Sequence, residues 1–218
     1  MAKSRAEHRR GSSGASARGE LAPVLRAKSV FDFTAAIRSV CIEAVAVTPE
    51  LSHVDFSRIA VTFSQARSTS KWGLYASLTP LRFEGGSAVG VRRGKKLRIQ
   101  RVVSPAGVEM LYILTFCLPR FMNLDFREKL ITIFHELWHI SPKFDGDIRR
   151  HEGRCYAHSS SQAAYDFEMG KLADRWMTRG IDPALVGFLE GNFNSLATNF
   201  GRVVGMKCPR PRLLPADR

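Results

Sequence analysis

The sequence predicts an α+β domain: a small twisted β-sheet packed on one buried helix, with further helices around it. Three observations predict this. Runs of strand character at 58–66, 96–103 and 108–118 crowd the first half of the chain. A capped helix that is apolar on most of its sides follows at 126–140. Two further stretches of helical spacing fill 161–201. The 218 residues, 44% hydrophobic and 24% charged, suffice for one domain with a packed core. We set residues 1–25 apart as a basic disordered tail, 26–206 as the folded domain and 207–218 as a loose C-terminal tail.

Taken in order, "FDFTAAIRSVCIEAVAV" (31–47) has apolar residues at helical spacing and stops before Pro49. "RIAVTFSQA" (58–66) alternates and is β-branched, which predicts a strand. "GLYASLTPLRF" (73–83) gives short extended pieces broken by Pro80. "KLRIQRVV" (96–103) predicts a strand with Leu97, Ile99 and Val102 or Val103 inward and Arg98 and Gln100 outward. "VEMLYILTFCL" (108–118), nearly continuous in apolar residues, predicts a strand in the body of the sheet. Asp125 caps the next helix, with Glu128 three residues on, and Ser141-Pro142 ends it. In 161–180, Ala164, Phe167, Leu172 and Trp176 mark an apolar face, and Gly180 sits just past the helix end. Asp182-Pro183 opens a final helical region that Gly187 and Gly191 cut short. Residues 202–215 read as a strand or extended arm before the loose end.

Charge and cysteine usage narrow the setting. The net charge of +13 makes a polyanion a candidate partner. Six basic residues and no acid fall within 92–101, which marks Arg92, Arg93, Lys95, Lys96 and Arg98 as candidate phosphate contacts. No aromatic residue is interleaved with them, so base stacking is not expected. The four cysteines stand far apart with no C-x-x-C pair, which argues against a zinc ribbon or a disulfide framework. The N-terminal twenty residues lack the apolar core of a signal peptide, and no run is long enough for a membrane helix. A cytoplasmic protein with no membrane partner is the expectation.

Into the apolar helix the sequence places His135, Glu136 and His139. Histidines at i and i+4 project from one face, close enough to hold one ion. Glu136 points about a quarter turn away, where a carboxylate can take a proton from activated water and pass it to a leaving amine. Burying three such groups without use would cost several kcal/mol unless each found a partner. The pattern predicts one zinc ion per chain and Glu136 as general base and then acid. A catalytic zinc needs a third protein ligand. Four of the six histidines, His135, His139, His151 and His158, fall within 24 residues. His151 is the preferred third ligand and His158 the alternative, with Glu152, Asp147 and Cys155 behind them. "SPKFDGDIRR" (141–150) reads as a loop that turns at Asp145-Gly146 and brings the chain back to the metal. Tyr156, or His158 if it does not bind metal, is a candidate stabiliser of the developing oxyanion.

The run "HELWHISPKFDGDIRRHEGRCYAH" resembles the zinc metallopeptidases found in phage and prophage regions, with H-E-L-x-H-I, then F-D-G, L/I-R-x-H and a later Tyr-x-His. "RIAVTFSQARS" and "LTPLRF" are similar to that family's strands. The resemblance spans about residues 50–205 and is strongest at 130–160. It implies a zincin-like fold, with a sheet, an active-site helix bearing His135, Glu136 and His139, and a further ligand downstream. Together these readings predict a zinc-dependent peptidase acting on a peptide or protein that adds as an extended strand at the sheet edge. One alternative is a nucleic-acid-binding protein whose zinc site is structural or inactive. Another is a protease recruited to its substrate by DNA, as in crosslink-repair proteases that carry the same motif.

Overall fold

The computed structural model describes residues 29–66, 73–150 and 162–216. The chain is mixed α and β, as expected. In chain order the described residues form β1 (Val30–Asp32), α1 (Phe33–Ala46), β2 (Ile59–Gln65), β3 (Ala76–Pro80), β4 (Val89–Arg92), β5 (Lys95–Ile99) and β6 (Tyr112–Leu118). Then come α2 (Phe126–Trp138), α3 (Gln162–Met177), α4 (Pro183–Val186), α5 (Phe193–Phe200), β7 (Arg202–Val204) and β8 (Leu213–Pro215). No helix among the described residues is long and apolar enough to cross a membrane. The N-terminal tail expected at 1–25 lies outside the described residues.

The central sheet has the order β2-β6-β3, with β2 parallel and β3 antiparallel to β6. Alternation along β6 explains why its sequence is apolar throughout. Tyr112, Leu114, Phe116 and Leu118 face the main core, while Ile113 joins Ala60, Leu81 and Met110 in a smaller cluster on the other face. The main core takes one face of each of the longer helices: Phe33, Ile37 and Cys41 from α1, Leu130, Phe134 and Leu137 from α2, and Tyr165, Met169 and Trp176 from α3. The helices therefore lie on one side of the sheet, and each fully buried Leu or Phe there contributes about 1.5–3 kcal/mol.

Several boundaries differ from the sequence reading, for local reasons. Residues 30–32 pair with β7 rather than start α1, because Asp32 is extended and caps the helix, accepting from Ala35 N–H at 2.9 Å. The strand expected over 96–103 ends at Ile99; Val103 makes only an isolated bridge to Glu109 and is half exposed. The strand expected over 108–118 starts at Tyr112, since Ser104 to Val108 close a turn first. Phe167, assigned to the core, is 65% exposed; Tyr165 and Met169 take that role. Within 202–215, read as a strand or extended arm, β7 and β8 form, and β8 adds to β5 to make the sheet β4-β5-β8 inside the span set apart as a tail from 207.

Candidate metal centre

Helix α2 is fixed at both ends. At its start Asp125 accepts from the Glu128 N–H at 2.8 Å. Inside, Lys129 is almost fully buried, with no carboxylate in hydrogen-bonding contact among the described residues. Its ammonium instead donates to the Leu189 and Gly191 carbonyls, both at 2.7 Å. Burial holds its pKa below the ordinary value. At the far end the helix stops at Trp138, two residues sooner than the apolar run suggests. Arg149 closes it: its Nε donates to the Trp138 carbonyl at 2.8 Å and its guanidinium lies 4.2 Å over the Trp138 ring.

His139 is the residue just past the helix, yet it keeps right-handed helical dihedrals, φ −67° and ψ −14°. Its side chain thus continues the face that His135 begins, and the two imidazole centroids are 4.8 Å apart. Glu136 is 8% exposed. Burial raises its pKa to about 7, against which the Leu78 N–H, donating to the carboxylate, acts only in part. Leu78 belongs to β3, one of the two outer strands of the central sheet among the described residues. A cleft of about 560 Å³ opens here, lined by Leu74, Tyr75 and Ala76 on the strand side and by Ile131, His135 and Glu136 on the helix side.

Helix α3 supplies two side chains that the sequence reading did not single out. Asp166 Oδ1 lies 3.2 Å from His135 Nδ1. Tyr165, buried, stacks on His139 at 5.6 Å and meets His135 edge-on at 4.8 Å. Burial raises its phenol pKa well above the ordinary value, so the ring is neutral. The signal was present: Tyr165, Met169, Leu172 and Trp176 recur at helical spacing, and this register puts Asp166 at the edge of the buried stripe.

The segment after α2 turns back as expected. Ile140 and Ile148 form a bridge, and the Arg149 N–H donates to the His139 carbonyl at 2.7 Å. The Tyr112 hydroxyl holds the turn from both sides, accepting from Gly146 N–H at 3.0 Å and donating to the Asp147 carbonyl at 2.9 Å. Asp147 is committed here and not to a metal. Its carboxylate accepts from Gly85 N–H at 2.9 Å and from Arg150 at 2.9 and 3.0 Å. That corrects its candidacy as a ligand. His151, Glu152, Cys155, Tyr156 and His158 lie outside the described residues.

The donor set fits zinc as far as it goes. Two imidazoles share one face, and Asp166 beside Nδ1 of His135 makes Nε2 the nitrogen that would take a metal. Among the described residues no group of three or more His, Cys, Asp or Glu side chains is arranged to hold an ion. No family model matches the chain, and no curated protein or solved structure is similar to it.

Proposed function

We propose that the protein is a zinc-dependent peptidase with a zincin-like arrangement of sheet edge, catalytic helix and ligands. The observation that carries this reading is Glu136, a buried carboxylate set between a histidine pair and an edge strand, at the wall of an open cleft. A buried Glu beside two histidines, with no basic partner among the described residues, is a costly core arrangement and a useful catalytic one.

His135 and His139 would hold the ion. His151, or alternatively His158, would complete the set. His151 lies two residues beyond Arg149, which is hydrogen-bonded to the His139 carbonyl, so at most about 7 Å of chain separates it from that anchor. When bound, zinc supplies a Lewis acid for a carbonyl oxygen and acidifies water. Glu136, with its pKa near neutrality, accepts a proton at its carboxylate and returns it to the leaving amine. Asp166 fixes the tautomer and orientation of His135.

The substrate mode follows from the register of β3. The Tyr75 carbonyl accepts from Cys117 and the Leu81 N–H donates to Leu111. Strand alternation therefore turns the backbone groups of 76, 78 and 80 outward; the Leu78 N–H there is already given to Glu136, which leaves the Ala76 N–H and the carbonyls for an added strand. An extended peptide adds along this edge as far as Pro80, which has no N–H to offer. The expected outcome is about one zinc per chain by elemental analysis of protein purified without chelator, and cleavage of a mixed fluorogenic peptide library. Glu136→Gln should keep the metal and lose at least about 100-fold in turnover. Absence of any transition metal, or normal turnover by Glu136→Gln, would overturn the reading.

A further inference from the structure

We propose that the sheet formed by β4, β5 and β8 is a second binding surface, which takes the phosphate backbone of a duplex nucleic acid without reading its sequence. β4 and β5 form a hairpin closed by Arg93 and Gly94, with φ of 50° and 74°. Positive φ at both central residues is the type I′ turn, whose first position suits Asn, Asp or Gly. An arginine there is strained, and it sets a guanidinium at the very tip.

β8 pairs with β5 opposite Leu97, Arg98 and Ile99 and the Ala216 N–H reaches the Lys96 carbonyl, so only the tip of the hairpin beyond is two strands wide. In its register Arg98 and Lys96 lie opposite Val89 and Val91 on one face, while Arg92 and Lys95 lie opposite each other on the other face. Arg92, Arg93, Lys95, Lys96 and Arg98 are all exposed. The structure also joins charges that are distant in the chain. Gln100 N–H donates to the Arg212 carbonyl at 2.8 Å, which brings exposed Arg210 and Arg212 to the same sheet. The adjoining groove of about 480 Å³ is lined by Arg82, Arg98 and Arg101, with Glu109 its one carboxylate among the described residues. Glu109 is already engaged by Arg82 at 2.9 Å and Arg101 at 3.0 Å.

The kind of partner follows from this distribution. Cations on both faces and the tip of a thin ribbon suit a polyanion that meets the ribbon from two sides. A flat anionic membrane would engage one face and leave either Arg92 and Lys95 or Lys96 and Arg98 in water. The major groove of B-form DNA is about 12 Å wide, has phosphates along both walls, and admits a two-stranded ribbon. The tip carries charge with no aromatic, Asn or Gln side chain, so counterion release rather than base reading drives the contact. None of these residues lines the cleft at His135, so the inference does not depend on the peptidase reading.

The test is fluorescence anisotropy of the full chain with a labelled 20-base-pair duplex of arbitrary sequence, from 50 to 200 mM salt. We expect affinity that falls steeply with salt. The fourfold variant Arg92→Glu, Arg93→Glu, Lys95→Glu and Lys96→Glu should bind more than about 100-fold more weakly at 150 mM, with a salt slope lower by about 3–4, at 0.9 per lost phosphate contact. Should that variant not fold, Arg93→Asn serves alone: it relieves the turn, so the melting temperature should rise, while binding should weaken about fivefold, the loss of one contact at that salt. Binding by the variants equal to that of the unaltered protein would overturn the proposal. So would no duplex binding at 50 mM salt, or binding only to vesicles of phosphatidylcholine with 30 mol% phosphatidylglycerol.

Discussion

Replacing Lys129 by methionine should destabilise the protein by about 2–4 kcal/mol, although it removes a buried charge. Two effects oppose each other. Methionine has nearly the same length and spares the desolvation of an ammonium in a site only 1% exposed. Against that, the Leu189 and Gly191 carbonyls each lose a charged donor at 2.7 Å. Were the partner a carboxylate, apolar replacement of both partners together could come out neutral. Here the acceptors are main-chain groups that no side-chain substitution removes. Leu189 is fully buried, so its carbonyl has no water to turn to and is left unsatisfied, at about 1–3 kcal/mol. Gly191 is partly exposed and recovers part of its loss. Urea denaturation of the two proteins under matched conditions would measure the difference. At 2–4 °C per kcal/mol for a chain of this size, the melting temperature should drop by roughly 10 °C. Lys129→Ala should be worse still, since it adds a cavity. A methionine variant as stable as the unaltered protein would refute the reasoning, and would mean that the carbonyls find other donors.

Other predictions concern the site itself. Asp166→Asn should weaken zinc binding about 10- to 100-fold in a chelator competition while leaving the melting temperature of the metal-free protein within about 1 °C, because it removes the charge beside His135 Nδ1 from a half-exposed side chain and keeps its volume. Asp147→Asn should cost about 1–3 kcal/mol, read by denaturation, because Arg150 then loses its buried counter-charge. The sign with pH is set by Arg150 and the N–H groups of Gly85 and Ile148, which hold the Asp147 pKa below its ordinary 3.8 against the opposing effect of burial. Its stabilising contribution is present above pH 3.8 and is lost as pH falls through the lower folded-state value. Hydrogen exchange of the Arg149 amide should therefore accelerate in acid before global unfolding, and unchanged protection there would count against the role given to Asp147.

What the sequence made legible was what repeats at short range. The α2 helix could be read from its cap and its apolar sides, and the body strand β6 from an unbroken apolar run. The histidine pair needed only the helical period. What escaped was set by contacts between distant segments. Asp166 matters because α3 packs on α2, and no feature within "AAYDFEMG" reports the imidazole beside it. Asp147 looked like a loop acid open to a metal, whereas Gly85, Arg150 and the turn claim it. Residues 207–215 read both as part of an extended arm and as a tail, because their proline-rich run gives no periodic signal to fix a partner. They are ordered by an edge, β5, that lies more than a hundred residues away. Phe167 lies two positions from both Tyr165 and Met169, which define the true stripe, and so falls on the opposite side of the helix.

The clamp of Tyr112 on the turn after α2 makes the connection to the proposed third ligand a ruler with one graduated end. The hydroxyl grips Gly146 and Asp147, so residues 141–145 form a closed excursion whose two ends are fixed, by Ile140 against Ile148 and by this grip. A residue inserted there can bulge outward and leave the chain beyond the grip in place. Residues 148–150, between the grip and His151, have no such slack, because Ile148 and Arg149 are each tied to the end of the helix. An insertion there shifts every later residue by one step relative to the helix end, the proposed third ligand included. Single-residue insertions on either side of the clamp should therefore differ sharply in metal affinity, near neutral at 143 and severe at 150, although both fall in the same surface loop.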